Sequence, residues 1–198
     1  SVILTKAIQA SKSEYLIFSD GDCIPNQSFV QTHINLAAQG YFLSGGQFPL
    51  SSSVSKLITE NNITSQQCFN KIFLLSSGQM LSKNYLKLLR TYLLSMSLDK
   101  ITPTKPTFNG NNASVWRKDI IKVNGFDERM QYGGLDCEIG YRLNNIGIKS
   151  TQIRHRSACL HLYHDRPYKN NISIEKNRQI RQETTANKST YTSFGMNK

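Results

Sequence analysis

Short apolar runs separated by polar turns define the pattern of this chain. Tyr15–Phe18 is a four-residue apolar run, which predicts a buried strand. Residues 41–48 predict a second strand, in which Gly45-Gly46 permits a bulge or a close backbone approach. Further strands are predicted over 108–117, 148–153 and 158–163.

Apolar residues at helical spacing fill much of the remaining chain. The segment 25–40 carries its apolar residues on one face and ends at Gly40, a typical helix stop. His33 lies on that face, so we expect a packed, hydrogen-bonded histidine rather than a ligand. Residues 54–97 are predicted to be mostly helical, with one clear apolar stripe that predicts core packing. Its members are Leu81, Tyr85, Leu88, Leu89, Tyr92, Leu93 and Met96.

Composition narrows the classes of protein to consider. The 198 residues suit one domain with a sizeable core. The net charge of +11 implies an anionic partner, such as a nucleotide diphosphate, an anionic membrane face or nucleic acid. The four cysteines form no Cys-x-x-Cys pair, which argues against zinc and favours reduced thiols in a cytosolic protein. No apolar run approaches the roughly 18 residues of a membrane span.

The first candidate chemistry follows the 15–18 run. Asp20 and Asp22 are separated only by Gly21. Residues i and i+2 of an extended chain point the same way, so both carboxylates can face one point. Gly21 has no Cβ, which permits close approach of a ligand to the backbone. Two oxygen donors suit a Mg²⁺ or Mn²⁺ that also holds phosphate oxygens, and an acidic turn without a metal is the alternative.

Two later segments carry further candidates. Asp136 follows Gly133-Gly134 in the first turn of a predicted helix, where the helix dipole favours a carboxylate. If it points inward beside a pocket it can serve as a general base, and a plain helix-terminal residue is the alternative. His161 and His164 offer imidazoles that can complete a Mn²⁺ site. Three residues apart in a strand, they cannot point the same way, so we expect one ligand at most.

Taken in order, these motifs carry a family resemblance. Asp20-Gly-Asp22 resembles the Asp-x-Asp motif of glycosyltransferases with the GT-A fold. The segments 109–119, 124–128 and 133–143 resemble the galactosyltransferase-like C-terminal half of family 2 glycosyltransferases, and the 161–164 segment is similar to the histidine-bearing strand after that half. The resemblance implies an α/β fold, the three-layer α/β/α sandwich of GT-A nucleotide-diphospho-sugar transferases with a mixed central sheet.

The resemblance also implies a role for each motif. Asp20 and Asp22 would bind Mn²⁺, or Mg²⁺, and through it the diphosphate of a UDP-sugar, with His164 or else His161 as a further ligand. Asp136 would take the proton from a hydroxyl of a glycan or lipid-linked acceptor in an inverting transfer. The turn that lines the sugar pocket would contain Gly110, Asn112 and Ser114. The residues of close approach beside donor or acceptor would be Gly133 and Gly134.

The sequence departs from the family pattern in two places. Leu135 occupies the position of an acidic residue that usually holds the acceptor, so we expect altered acceptor contacts. The family's opening, nucleobase-binding strand is absent, so we expect a sheet without its first βαβ unit and weak binding of UDP-sugar. Residues 1–168 are predicted to form the catalytic domain. Residues 169–198 are predicted to form a basic polar helix with a loose end.

Three functions remain open from the sequence. The leading one is transfer of a hexose or N-acetylhexosamine from a UDP-sugar in surface polysaccharide synthesis, in the cytoplasm or peripherally at the inner membrane face. The second is a non-catalytic basic module for nucleic acid or an anionic membrane surface, although aromatic residues do not interleave with a basic stripe as nucleic-acid platforms require. The third is a nucleotidyltransferase on a related fold.

Overall fold

The computed structural model describes residues 2–89, 91–167 and 170–197, which form a mixed α/β fold. Its helices are Val2–Ala10 (α1), Phe29–Leu36 (α2), Ser52–Leu57 (α3), Glu60–Thr64 (α4), Lys71–Ser76 (α5), Tyr92–Ile101 (α6), Arg117–Lys122 (α7), Leu135–Asn145 (α8) and Asn171–Ala186 (α9). Two 3₁₀ helices span Gln67–Phe69 and Lys83–Leu88. The strands are Tyr15–Phe18 (β1), Cys23–Pro25 (β2), Tyr41–Ser44 (β3), Gly46–Pro49 (β4), Ala113–Trp116 (β5), Lys149–Gln152 (β6) and Ala158–His161 (β7).

The strands form two small sheets rather than one. The larger sheet has the order β1-β5-β3-β6, with β3 and β6 parallel and the other pairs antiparallel. The smaller sheet has the order β2-β7-β4, with β4 and β7 parallel. The strands that the sequence predicts over 41–48, 148–153 and 158–163 are each confirmed in place, the first as two strands.

The chain crosses between the sheets at Gly45. Its backbone N–H donates to Asn112 O at 2.8 Å, and the N–H of Gly46 donates to Ser157 O at 2.7 Å. A Cβ added to Gly45 would lie 1.9 Å from Oδ1 of Asn112, and one added to Gly46 would lie 2.2 Å from Arg154 O. The predicted close backbone approach at this pair is therefore confirmed, and the approaching groups belong to the chain itself.

Two hydrophobic cores hold the layers together. The main core packs α1, α7 and α8 against the larger sheet through Ile8, Ile120 and Ile139, beside an aromatic cluster of Phe18, Phe42, Phe108 and Phe126. The second core lies under the smaller sheet around Phe48, Leu74 and Leu160. Each fully buried side chain of this size contributes roughly 1.5–3 kcal/mol. The larger sheet and its core position the chain segment that leaves the end of β1.

β1 is an edge strand, which corrects one expectation. Tyr15, Leu16 and Ile17 are only half-buried, and Phe18 alone is buried, because β1 pairs with β5 on one side only among the described strands. The prediction of a fully buried strand is wrong for its first three residues.

The apolar stripe of 81–96 is only partly core. Tyr85 and Leu88 are buried as predicted, whereas Leu81 is 77% exposed and Leu93 is 67% exposed. The stripe fails because residues 83–88 form a 3₁₀ helix and α6 begins anew at Tyr92, so the helical phase is not continuous. None of the helices in the described ranges is long and apolar enough to cross a membrane.

The C-terminal segment packs on the domain instead of ending loosely. Ile180 of α9 is buried, and Thr184 donates its hydroxyl to Glu138 Oε1 of α8 at 2.9 Å. The backbone N–H of Asn197 donates to Asn124 Oδ1 at 2.8 Å, and Met196 lies against the main core. The predicted helix is confirmed as α9, and the prediction of a loose end after it is wrong for residues 187–197, while Tyr168, Lys169 and Lys198 lie outside the described residues.

Candidate metal centre

The acidic turn lies where β1 leaves the larger sheet. The backbone N–H of Cys23 donates to Asp20 O at 3.1 Å, which closes a turn through Gly21 and Asp22. A Cβ added to Gly21 would meet no atom of the described chain within 4 Å. Packing of the chain does not require a glycine there, and the space beside it is open to a ligand.

Both histidines reach the same carboxylate. Nε2 of His164 lies 2.8 Å from Oδ2 of Asp22, and Nε2 of His161 lies 3.5 Å from that oxygen. The ring centroids are 5.6 Å apart. The premise that the two imidazoles cannot point the same way is therefore wrong, while the expectation of one ligand at most stays a prediction. The reason is that β7 ends at His161, so the alternation of an extended strand does not continue to His164.

Strand pairing fixes this arrangement from the backbone. β2 and β7 pair with Cys23 opposite His161, and the N–H of Leu162 donates to Asp22 O at 2.9 Å. The pairing therefore carries Asp22 to the end of β7. It also brings the Cys23 thiol close, since one donor atom from each of Asp22, Cys23 and His161 lies within 4.8 Å of the others. Sequence analysis missed Cys23, because only the register of two distant strands places it here.

Asp136 joins the site through the loop before β5. Its Oδ2 accepts a hydrogen bond from the backbone N–H of Gly110 at 3.1 Å, and its Oδ1 accepts from the N–H of Cys137 at 2.9 Å. A Cβ added to Gly110 would lie 3.8 Å from Oδ1 of Asp20. Gly110 therefore lies between Asp20 and Asp136, and three separated segments of the sequence meet at one place.

Like charges accumulate here. The pKa of the Asp20 carboxyl is raised by partial desolvation, then by the negative charges of Asp22 and Asp136, while His161 acts in the opposite direction. Because the Asp20 side chain remains exposed, the neighbouring carboxylates are the cause that characterises the site. A divalent cation would relieve this repulsion. Carboxylate oxygens with imidazole nitrogens form a donor set that fits Mn²⁺, and the nearby thiol widens the range of metals that would fit.

Asn112 and Ser114 do not line this site. Both are fully buried and form a hydrogen-bond network with His33. Nδ1 of His33 lies 2.6 Å from Oγ of Ser114, which is also 2.7 Å from the hydroxyl of Tyr15. Nε2 of His33 lies 2.9 Å from Oδ1 of Asn112, which identifies Nε2 as the protonated nitrogen because a carbonyl oxygen only accepts. The predicted role of His33 is confirmed, and the sugar-pocket role of Asn112 and Ser114 is wrong.

The glycine pair before α8 faces the C-terminal helix. Gly133 and Gly134 have positive φ of 97° and 79°, which explains why glycines turn the chain into α8. Nδ2 of Asn177 donates to Gly133 O at 3.0 Å, and a Cβ on Gly134 would lie 2.9 Å from the Arg181 side chain. The close approach expected beside a substrate is thus made by α9. Leu135 packs against the main core rather than facing a ligand.

Comparisons with known proteins add no identification. No protein-family model matches the chain, and no curated protein sequence is significantly similar to it. A functional assignment for this chain therefore depends on the geometry of the described residues.

Proposed function

We propose that this chain is a metal-dependent, inverting glycosyltransferase that transfers a hexose or N-acetylhexosamine from a UDP-sugar to a glycan or lipid-linked acceptor. The observation that carries the proposal is the meeting of Asp20, Asp22 and Asp136 through Gly110, with two imidazoles at Asp22. The acidic turn lies more than 100 residues before Asp136 and the two histidines in the sequence, and the sequence motifs predict that these groups act together.

The architecture supports a fold of the GT-A type. The larger sheet is mixed, helices α1, α7 and α8 cover it, and the acidic turn follows the carboxyl end of β1. In open α/β sheets, ligands bind beyond the carboxyl ends of strands. The acidic turn occupies such a position, beside the second sheet that contributes the histidines.

Each residue of the site has a chemical part in the proposal. Asp20, Asp22 and His164, with His161 beside it, would hold the cation. When bound, Mn²⁺ or Mg²⁺ neutralises the charge that develops on the departing diphosphate. Asp136 accepts the proton of the acceptor hydroxyl as its oxygen bonds to the anomeric carbon and the bond to UDP breaks. The N–H of Gly110 orients the Asp136 carboxylate for that transfer.

A peripheral position on an anionic membrane fits the outer face of α6. Leu93, Leu94 and Ile101 are exposed on this helix, and Lys100 is exposed beside them. Apolar side chains flanked by lysine bind the interface of anionic bilayers. This placement suits transfer to a lipid-linked acceptor. Co-sedimentation with phosphatidylserine vesicles tests it, and loss of vesicle binding in a Leu93→Asp variant is the expected result.

Asp22→Ala tests the metal centre directly. The variant should lose Mn²⁺ binding in calorimetric titration, and with it any Mn²⁺-dependent binding of UDP and hydrolysis or transfer of a UDP-sugar. Glu60→Gln, in the exposed first turn of α4, removes the same charge elsewhere and should behave as the parent does. If Asp22→Ala binds Mn²⁺ and turns over UDP-sugar like the parent, the proposal is wrong.

A further inference from the structure

A second cleft lies away from the metal centre. It has a volume of about 430 Å³ and is enclosed by α2, α6, the 3₁₀ segment around Lys87 and the loop between β6 and β7. That volume falls in the range of small-molecule sites. None of the described residues that line it is acidic, whereas Lys87, His155 and Arg156 are basic. The lining therefore favours a negatively charged ligand.

α6 is turned so that its polar residues face the protein. Ser95 is 2% exposed and Asp99 is 4% exposed, while leucines on the same helix face outward. Oδ1 of Asp99 accepts from the backbone N–H of His155 at 2.8 Å, and Oδ2 accepts from Nε of Arg156 at 2.7 Å. Burying a carboxylate is costly unless it is paired, so this orientation of α6 serves the contact with the β6–β7 loop.

The contact with Asp99 fixes the guanidinium of Arg156 at the cleft wall. Asp99 engages Nε only, and no residue in the described ranges accepts a hydrogen bond from the two Nη groups. The Arg156 side chain is 11% exposed, so little conformational freedom remains to be lost when a ligand binds. A guanidinium held through Nε presents two parallel N–H donors, which match the two oxygens of a carboxylate or phosphate.

Lys87 adds positive potential to the same wall. Its Nζ donates to Gln47 O at 2.7 Å and to Asn84 Oδ1 at 2.8 Å, so it is held in place by uncharged partners. Burial lowers the pKa of Lys87, and the nearby charge of Arg154 lowers it further. An anion in the cleft would offset this cost, because it favours the charged form of the lysine.

The uncharged lining suits a hydroxyl-rich molecule. The cleft is also lined by the amide residues Gln31, Asn35 and Gln66, by Thr32, and by the aromatic residues Phe69 and Tyr92. Amides and hydroxyls donate and accept hydrogen bonds, and aromatic rings cover apolar faces of a ring-shaped ligand. Such a mixture favours a sugar over a purely apolar anion.

We propose that this cleft binds a saccharide that carries a carboxylate or phosphate group, with the Nη groups of Arg156 as the principal donors to the anion. The site shares no lining residue with the metal centre and does not rest on the glycosyltransferase proposal.

Calorimetric and saturation-transfer NMR titrations of the whole chain test the site, with EDTA present so that the metal centre takes no part. The probes are glucuronate, glucose 1-phosphate, neutral glucose and inorganic phosphate. Glucuronate or glucose 1-phosphate should bind in the millimolar range, at least about tenfold more tightly than glucose, because a charge-assisted bidentate pair is lost with the neutral sugar. Whichever of these two sugars binds more tightly identifies the anionic group, carboxylate or phosphate, that the cleft prefers.

Two variants assign the binding to the cleft. Arg156→Gln should lower the affinity for the tighter-binding charged sugar by about tenfold or more. The Arg156→Gln variant also removes a partner of Asp99, so a second variant that leaves the core intact is needed. Asn35→Asp places a negative charge at an exposed position on the rim of the cleft and should weaken binding similarly. Arg178→Gln, at an exposed position of α9, is the matched charge control and should bind like the parent.

Three results would overturn the proposal. One is that neither charged sugar binds at concentrations at which the cleft should be saturated. Another is that a control binds as tightly as the charged sugar. Equal affinity for glucose would show that the charge is not recognised, and equal affinity for inorganic phosphate and glucose 1-phosphate would show that the sugar is not recognised. The third is unchanged affinity in a folded Asn35→Asp variant.

Discussion

The two polar clusters beside β1 differ in burial and in the pairing of their polar groups. His33, Asn112 and Ser114 are buried, and their partners match donor to acceptor. Asp20, Asp22 and Asp136 are at least partly accessible, and the negative charges of the last two help to raise the pKa of the Asp20 carboxyl. A paired buried network stabilises the fold, whereas an accessible cluster of like charges is a candidate position for a bound cation.

The largest expected effect is on the accessible cluster. Asp136→Asn should lower sugar transfer by roughly 10²–10⁴-fold, the usual contribution of a general base, because the amide cannot take a proton. Mn²⁺ affinity, measured by calorimetry, should fall far less than the transfer rate, because Asp136 is not among the proposed ligands and the Asn side-chain oxygen can still accept from Gly110. Transfer at the parental rate would remove Asp136 from the chemistry.

In the buried cluster the expected effect is on stability alone. Asn112→Leu should lower the free energy of unfolding by about 3 kcal/mol, because the His33 Nε2–H loses its acceptor and Gly46 O and Ser157 O each lose one of their donors. Urea denaturation measures the change. Ser157 Oγ lies 3.3 Å from Nε2 of His33 and can accept its hydrogen bond in place of Asn112, which would restore part of the lost stability. Loss of Mn²⁺ binding without loss of stability would contradict the separation of the two clusters.

The His33 network should also make stability depend on pH. Burial lowers the pKa of His33 from 6.5 to about 4, with the Asn112 hydrogen bond opposing this effect. Between these values the unfolded chain binds a proton that the folded chain does not, so stability falls as pH decreases from 6.5 toward 4. At pH 5 the loss from this group is about 2 kcal/mol.

A His33→Gln variant isolates this contribution. Its stability should fall less steeply than that of the parent when urea unfolding is compared at pH 7 and pH 5. Equal slopes for the two proteins would show that His33 keeps an ordinary pKa in the fold.

The smallest effects should distinguish the two imidazoles. His164→Ala should lower the affinity for Mn²⁺ by about tenfold, and His161→Ala should lower it by less. The reason is that Nε2 of His164 lies closer to Asp22 Oδ2, at 2.8 Å against 3.5 Å for His161. Calorimetry or electron paramagnetic resonance of Mn²⁺ gives both affinities. The reverse order would show that the cation shifts the ligands away from the arrangement seen without it.

Local sequence determined the elements and the candidate groups. The strand at 15–18 and the close approach at the glycines 45–46 could be predicted, because the first depends on a run of apolar side chains and the second on the absence of a Cβ. His33 on an apolar helical face could be predicted from the helical period of the apolar residues around it. The acidic turn and Asp136 could be singled out by residue type and spacing.

Tertiary structure alone decided which groups meet and which are covered. The register of β2 on β7 brought Cys23 to Asp22 and His161, and the end of β7 let His164 turn toward the same oxygen. Asn112 and Ser114 were taken into the His33 network instead of a sugar pocket, and α9 covered Gly134. Such contacts depend on strand pairing and helix docking between residues far apart in the chain, which local periodicity does not encode.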